Sequence, residues 1–224
     1  MKKLFVLAAM MMATITASAQ FEPGTFSIQP RVGITASMIS NMPKVSSDDL
    51  YVELDKQPAV GLIAGADLEY QITEMFSLSA GVNLAMQGSA WEDYKRTYLG
   101  YTDEIKDLRI EADYLNVPVT LNCYVLAGLS IRTGVQFGFL TTAKVKGEET
   151  IVGHKSDIDH SIKDMYEKFD VSIPVGISYE FPNHLVIDTR YNIGLSKVFK
   201  EDYIFDKNGK NQVFTITLGY KIPL

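Results

Sequence analysis

Hydrophobic and polar residues alternate strictly along several stretches of this chain. In FDVSIPVGISYEF, residues 169–181, every second residue from Phe169 to Phe181 is hydrophobic, and the residues between them are polar, small or proline. Because successive side chains of a β-strand point to opposite faces, this segment predicts a strand with one apolar and one polar face. The same alternation predicts eight strands in all, at residues 26–38, 60–72, 76–88, 114–125, 129–141, 169–181, 185–197 and 213–222.

The connections between the predicted strands alternate in length. Short turns near residues 73–75, 126–128 and 182–184 separate long segments near residues 40–59, 89–110, 142–168 and 198–211. An even number of antiparallel strands with short turns at one end is typical of bacterial outer-membrane barrels. We therefore predict an all-β fold, an eight-stranded antiparallel up-and-down transmembrane β-barrel with short periplasmic turns and long extracellular loops. Closure of the sheet leaves no exposed edge.

The polar face of the strands indicates which side meets lipid. It carries many glycines, which relieve crowding inside a narrow barrel, and charged residues of both signs that can pair there. The apolar face is then expected to face hydrocarbon, where a closed barrel leaves no backbone group unpaired. We predict a charge network in the lumen formed by Arg31, Asp67, Glu69, Arg132, Glu180, Asp188, Arg190 and Lys221.

Three prolines lie inside predicted strands, at Pro30, Pro118 and Pro174. Each removes a hydrogen-bond donor from the ladder and so conflicts with a central strand position. We expect β-bulges or the rim of the barrel to accommodate them.

The first residues have the composition of a secretory signal peptide. Lys2 and Lys3 precede an apolar run, and Ala17-Ser18-Ala19 forms a cleavage pattern. We expect residues 1–19 to be a signal peptide and residues 20–224 to be an outer-membrane β-barrel domain in a Gram-negative cell envelope. Cys123 is the only cysteine, which excludes an intramolecular disulfide and a lipid anchor on the mature N-terminus.

Charge and motifs exclude several classes of function. The formal net charge is −6, and removal of the signal peptide would take away two further lysines, so no nucleic-acid partner is expected. The chain has no nucleophile elbow, phosphate-binding loop, zinc-ligand pair or dinucleotide-binding turn. We therefore predict no enzyme activity, no catalytic, cofactor-binding or metal-binding residues, and no cofactor. The segment HKSDIDH holds His154 and His160, but it fits a solvated acidic loop better than a metal site.

Two of the long connections contain further patterns. In residues 156–169, hydrophobic residues recur at near-helical intervals, which predicts a short amphipathic helix that caps the barrel. Residues 91–109 carry aromatic side chains among mixed charges, a composition that suits contact with an extracellular protein or glycan. The alternative is that these rings pack on neighbouring loops. The candidate surface-contact residues are Trp91, Tyr94, Tyr98 and Tyr101.

The segment YLNVPVTLNCYV, residues 114–125, resembles a strand of the bacterial outer membrane protein β-barrel domain family, also called porin-family or PorT-like proteins. Tyr114, Leu115 and Pro118 carry the match, and PRVGITAS and LEYQITEMFSLSAGVNL resemble the same family. The resemblance implies an eight-stranded outer-membrane barrel and supplies no catalytic residues. One departure is the C-terminal residue, Leu224, since many outer-membrane barrels end in an aromatic residue that is recognised during assembly.

These observations favour an integral outer-membrane barrel with a structural or surface-interaction role and no catalysis. Its expected partners are outer-membrane lipid, the assembly machinery during insertion, and an extracellular protein or glycan through the loops; the barrel is expected to be a monomer. A small-solute porin is an alternative, although eight strands enclose little more than their own side chains. A secreted, soluble eight-stranded ligand-binding barrel is a second alternative, with the apolar face turned inward.

Overall fold

The strands form a closed antiparallel barrel. The computed structural model describes residues 21–41, 45–47, 52–98, 101–151, 154–200 and 208–224, so the predicted signal peptide lies outside the described residues. Each long strand pairs with the next along the chain, and the last pairs with the first, which confirms the predicted fold class. The strands are β1 (Phe26–Ile39), β2 (Ala59–Gln71), β3 (Phe76–Trp91), β4 (Tyr101–Leu126), β5 (Leu129–Ile151), β6 (Phe169–Glu180), β7 (Leu185–Gly194) and β8 (Asn211–Tyr220).

Three tight connections join β2 to β3, β4 to β5 and β6 to β7 at one end of the barrel, called here the turn end. In the second of these, Gly128 has a φ of +74°, and a Cβ at this position would overlap the carbonyl of Glu180. The turn therefore needs a residue without a side chain. The Gly128 carbonyl accepts a hydrogen bond from the Glu180 amide at 2.8 Å. The opposite end, which carries the longer connections, is called the loop end.

The apolar face of the barrel points outward. Large hydrophobic side chains on this face are strongly exposed, for example Val32 at 61%, Leu62 at 63% and Ile177 at 56%. The intervening polar side chains are buried in the lumen, among them Ser27, Gln29, Thr35, Ser77, Asn83, Asn116, Thr120 and Asn122. This arrangement inverts that of a water-soluble barrel and gives lipid an apolar belt to cover.

The prolines sit in mid-strand, and the expectation of bulges or a rim position is wrong for them. Pro30, Pro118 and Pro174 each keep a partner on one neighbouring strand, and the ladder on the other side is interrupted over two positions. Pairing resumes beyond each interruption in the same register. The three register shifts between β4 and β5 lie elsewhere, at Lys106/Arg109, Asp113/Tyr114 and Tyr124/Leu126. The backbone N–H that each proline lacks therefore interrupts the ladder only locally and does not displace the strand.

β4 and β5 extend well beyond the apolar belt at the loop end. Residues 101–113 of β4 and 141–151 of β5 remain paired there, and short strands at Tyr94–Tyr98 and His154–Ser161 add to their outer sides. We call this four-stranded assembly the extension. It replaces most of two predicted loops, because these strands are rich in charged residues and show no apolar alternation in sequence.

The predicted amphipathic helix at residues 156–169 is wrong. Residues 154–161 form a strand, and only a single 3₁₀ turn, Lys163–Met165, follows before β6 begins at Phe169. Pairing with the edge of β5 overrides the near-helical spacing of the hydrophobic residues. In the part of the chain that the structure describes, no helix is long and apolar enough to cross a membrane.

An apolar cluster fills the barrel at the loop end. It is built from side chains of β1, β3, β4 and β5, together with residues between β5 and β8 that fold over the opening. On β4, the inward side chains change from polar at Asn116 to apolar at Tyr114, Ala112 and Ile110. We call this cluster the cap; it consists of Ile39, Trp91, Ile110, Ala112, Tyr114, Leu140, Ala143, Ile162, Tyr166, Val198 and Phe199.

Candidate functional site

The charged residues predicted for the lumen lie together on the inner wall. Asp67 of β2 lies between two arginines: its Oδ2 is 3.1 Å from Arg31 Nε of β1 and 2.9 Å from Arg190 Nη2 of β7. Arg190 also reaches Asp188, two residues before it on the same face of β7, with Nε 2.7 Å from Oδ1. β2 and β7, which are separated by β8 and β1 in the sheet, are thus joined across the lumen.

The series of ion pairs continues toward the turn end. Asp188 Oδ2 is 3.3 Å from Arg132 Nη1, and Arg132 Nη2 is 3.7 Å from Glu69 Oε2. Lys221 Nζ lies 3.1 Å from Glu69 Oε1 and 3.1 Å from Glu180 Oε2. All eight residues therefore belong to one connected network.

The network alternates in sign along its length. The order is Arg31, Asp67, Arg190, Asp188, Arg132, Glu69, Lys221 and Glu180, with four cations and four anions. None of the eight side chains is more than 4% exposed. Removing so many charges from water is costly unless each is paired, and this alternation gives every charge a neighbour of opposite sign.

Neutral side chains complete the network and were not predicted as members of it. The Tyr124 hydroxyl donates to Glu69, and Lys221 Nζ donates to the Tyr124 hydroxyl at 2.8 Å. Ser77 Oγ donates to Glu69 Oε1 at 2.7 Å. Both residues lie on the polar face of their strands in the sequence, so the alternation itself was the signal that could have identified them.

A second polar cluster lies in the barrel wall nearer the cap. Ser196 donates to the Asp170 carboxylate, and Asn211 Nδ2 lies 3.1 Å from Asp170 Oδ2. The Ser196 hydroxyl also accepts a hydrogen bond from the Val171 amide at 2.8 Å. The cluster joins β6 to β8 through the connection that follows β7. Its hydrogen bonds hold these strands together, which is a structural role rather than a catalytic one.

Both ends of the lumen are covered. At the turn end, the Phe21 ring stacks on His184 with centroids 5.4 Å apart, and Lys221 Nζ lies 5.7 Å from the centre of the Phe21 ring. At the loop end, the cap closes the barrel. Between the network and the cap, a cavity of about 10 Å³ remains, lined by residues that include Arg31, Arg190 and Gln136. That is about the space of one water molecule.

The aromatic residues proposed for surface contact do not form a shared surface patch in the described part of the chain. Trp91 is only 7% exposed and belongs to the cap, and Tyr94 packs against it. Tyr98 and Tyr101 are paired through their backbones at the tip of the hairpin, and their side chains lie outside what the structure describes. For Trp91 and Tyr94, packing on neighbouring loops is the arrangement that the structure presents.

The histidine-containing segment, His154–Ser161, forms one of the two outer strands of the extension. His154 and His160 are exposed, and Asp159 pairs with Lys144 at 3.2 Å. Within the described ranges, no group of three or more His, Cys, Asp or Glu side chains is placed to hold a metal ion.

A family model described as "Outer membrane protein beta-barrel domain" matches residues 18–200. No curated protein matches the chain. Solved structures similar to it include Ail, the attachment invasion locus protein of Yersinia pestis, in complex with the heparin analogue sucrose octasulfate, at 13% identity over 89% of this chain and 99% of that one, with a TM-score of 0.44.

Two further structures show a similar level of likeness. The outer membrane protein OprG from Pseudomonas aeruginosa has 11% identity over 91% of this chain and 98% of that one, with a TM-score of 0.44. Neisserial surface protein A has 12% identity over 88% and 97%, with a TM-score of 0.40. At these values the structures bear on no individual residue of this chain.

Proposed function

Since the chain belongs to the outer membrane protein β-barrel domain family, we propose that it is an integral outer-membrane barrel that conducts no solute and performs no catalysis. Its role is structural or lies in contacts at the cell surface. Outer-membrane lipid covers the apolar belt, residues 1–19 direct export, and the assembly machinery inserts a monomer. The extension presents the part of the chain available to an extracellular protein or glycan.

The single observation that carries this proposal is the filled lumen. A conducting barrel needs a continuous wet path, whereas here eight paired charges cross the centre of the barrel and an apolar cap closes one end. An eight-stranded barrel is only wide enough for its side chains to fill the interior. The alternative of a soluble ligand carrier requires an apolar interior, and the apolar side chains of this barrel point outward.

Conductance in planar lipid bilayers tests the proposal. Purified mature protein is added under conditions in which a large porin inserts and gives current steps, and heat-modifiable migration on a detergent gel verifies that the barrel is folded. We expect no stepwise current from the folded protein. Reproducible steps whose frequency rises with the amount of folded protein would establish the channel alternative instead.

A further inference from the structure

The wall of the barrel is irregular between β2 and β3 at the loop end. The ladder between the two strands runs to Ile63↔Ala85. Pairing with β3 resumes only in a separate short strand, Lys56–Gln57, where Gln57 pairs with Ala90 and the register is shifted by one residue. No ladder pair joins residues 58–62 to residues 86–89, all of which the structure describes. Gly88, in the middle of this stretch, has a φ of +147°.

Side chains of β1 replace part of the missing ladder. Thr35 Oγ1 donates to the Met86 carbonyl at 2.5 Å, and the Gly88 amide donates to Ser37 Oγ at 2.8 Å. These bonds pass behind β2, which lies between β1 and β3 in the sheet. Val60 of β2 is 77% exposed at the stretch where β2 is not paired with β3.

A cavity of about 570 Å³ lies at this irregularity. This volume is in the range of small-molecule binding sites, roughly 300–1,000 Å³. Part of the lining is apolar and includes Val60, Met86 and Ala90; Val60 and Met86 are exposed on the outer face and continue the lipid-facing belt. An occupant therefore reaches the cavity from the hydrocarbon side of the wall.

Another part of the lining is charged. It comes from the outer faces of β4 and β5 just beyond the apolar belt, at Arg109, Glu111, Asp113 and Lys146. Glu111 accepts from Arg109 Nε at 2.8 Å and from Lys146 Nζ at 2.7 Å. Burial opposes ionisation of Glu111, but the hydrogen bonds from Lys146 and Arg109 outweigh it and lower the pKa of the carboxyl. The cavity therefore presents charged donors and acceptors directly above an apolar floor.

We propose that this cavity binds a membrane lipid whose head group is a phosphorylated sugar. The acyl chain lies along the floor formed by Val60 and Met86, phosphate accepts hydrogen bonds from Arg109 and Lys146, and sugar hydroxyls donate to Asp113 and Glu111. A head group with a single phosphate and few hydroxyls fits less well, because it offers fewer donors to the carboxylates of Glu111 and Asp113. The site opens at the loop end, where the extension leaves the apolar belt.

Native mass spectrometry of the detergent-solubilised, full-length mature barrel tests this inference. The probe is a bisphosphorylated diglucosamine lipid, compared with phosphatidylethanolamine and phosphatidylglycerol at equal concentration. We expect one retained copy of the glycolipid and at least five-fold lower occupancy with phosphatidylglycerol. Arg109→Gln together with Lys146→Gln should lower glycolipid occupancy at least five-fold, and Ala90→Trp, which places a large ring in the cavity, should do the same.

The matched control removes two lysines from the same extension but away from the cavity. Lys95→Gln together with Lys106→Gln breaks exposed pairs with Glu104 and should leave occupancy unchanged. Equal loss in this control, equal retention of all three lipids, or unaltered occupancy in the Arg109/Lys146 variant would overturn the inference. Because the side chains of Arg109 and Lys146 are partly exposed, their substitution by glutamine is compatible with folding, and the result stands even where Ala90→Trp fails to fold. A conducting barrel that still binds the glycolipid would refute the proposed function alone.

Discussion

Arg190 and Asp188 occupy the middle of the lumen network, and each contacts two partners of opposite charge. Arg190 joins Asp67 to Asp188, and Asp188 joins Arg190 to Arg132. A buried ion pair adds little net stability compared with a well-packed apolar pair, but removing one member leaves its partner charged in a dry interior. The network therefore specifies how the strands are arranged in the closed barrel more than it adds to the stability of the fold.

Asp188→Asn is expected to destabilise the barrel by about 3–5 kcal/mol, the usual cost of breaking a buried pair. The substitution keeps the size of the side chain but leaves Arg132 and Arg190 without a charged partner at their shared position. Urea unfolding in lipid vesicles measures the change, followed by the fluorescence of Trp91, the only tryptophan. The control is Lys106→Gln in the exposed pair with Glu104, which should not shift the midpoint. Equal midpoints for Asp188→Asn and wild type would show that the pair carries no such cost.

At the residue scale, the sequence predicted which charges face inward but not how they pair. Alternation places a side chain on a face, and this placed Arg31 and Glu69 in the lumen. The order of the pairs depends on how far each strand is staggered against its neighbours around the barrel, a property of closure rather than of any one strand. Tyr124 also lies on the polar, inward face by alternation. It was missed because the predicted network included only charged residues.

At the element scale, the alternation marks the lipid-facing part of each strand and stops at the edge of the membrane. The strand predicted at residues 114–125 begins at Tyr101 in the structure, and the one predicted at 129–141 continues to Ile151. Segments such as TDEIKDLR are rich in charged residues, so no apolar period distinguishes them from a loop. These segments form strands because they pair with neighbouring segments of the same polypeptide. The local sequence does not show that pairing.

The cap depends on Tyr166, which is fully buried and meets Phe199 edge to face at 4.7 Å between ring centroids. Tyr166→Ala removes a large buried ring and should cost roughly 3 kcal/mol of local stability, by analogy with other buried aromatic truncations. We expect amides of residues 162–168 and 198–200 to exchange at least ten-fold faster, while β6, β7 and β8 keep their protection in the belt. Hydrogen–deuterium exchange with mass spectrometry measures both.

The control for the cap is Met75→Ala, since Met75 is 54% exposed at the turn end and touches no part of the cap. It should leave exchange at residues 162–168 unchanged. Uniformly faster exchange through the whole barrel in Tyr166→Ala would mean that the cap folds as one unit with the strands. Unchanged exchange at residues 162–168 would mean that Tyr166 does not hold the cap in place.

At the scale of the whole molecule, the barrel separates three environments along its axis. An apolar belt surrounds a charged centre, an apolar cap covers the loop end, and the polar extension stands beyond it. A soluble protein would place its apolar residues in the middle and its charges outside. This reversed arrangement of apolar and charged residues is stable only where hydrocarbon covers the belt. The orientation of the barrel in the membrane then decides whether the extension or the turn end lies at the cell surface.

Cysteine labelling on intact cells determines that orientation. With Cys123→Ala as the background, Asp157→Cys places a thiol on the outer strand of the extension, and Asn183→Cys places one in a tight connection at the turn end. A membrane-impermeant maleimide should label Asp157→Cys on intact cells and Asn183→Cys only after the outer membrane is opened. The unsubstituted background should stay unlabelled in both conditions. The reverse pattern would place the extension in the periplasm, and equal labelling at both positions in the soluble fraction would show that the belt is not covered by lipid.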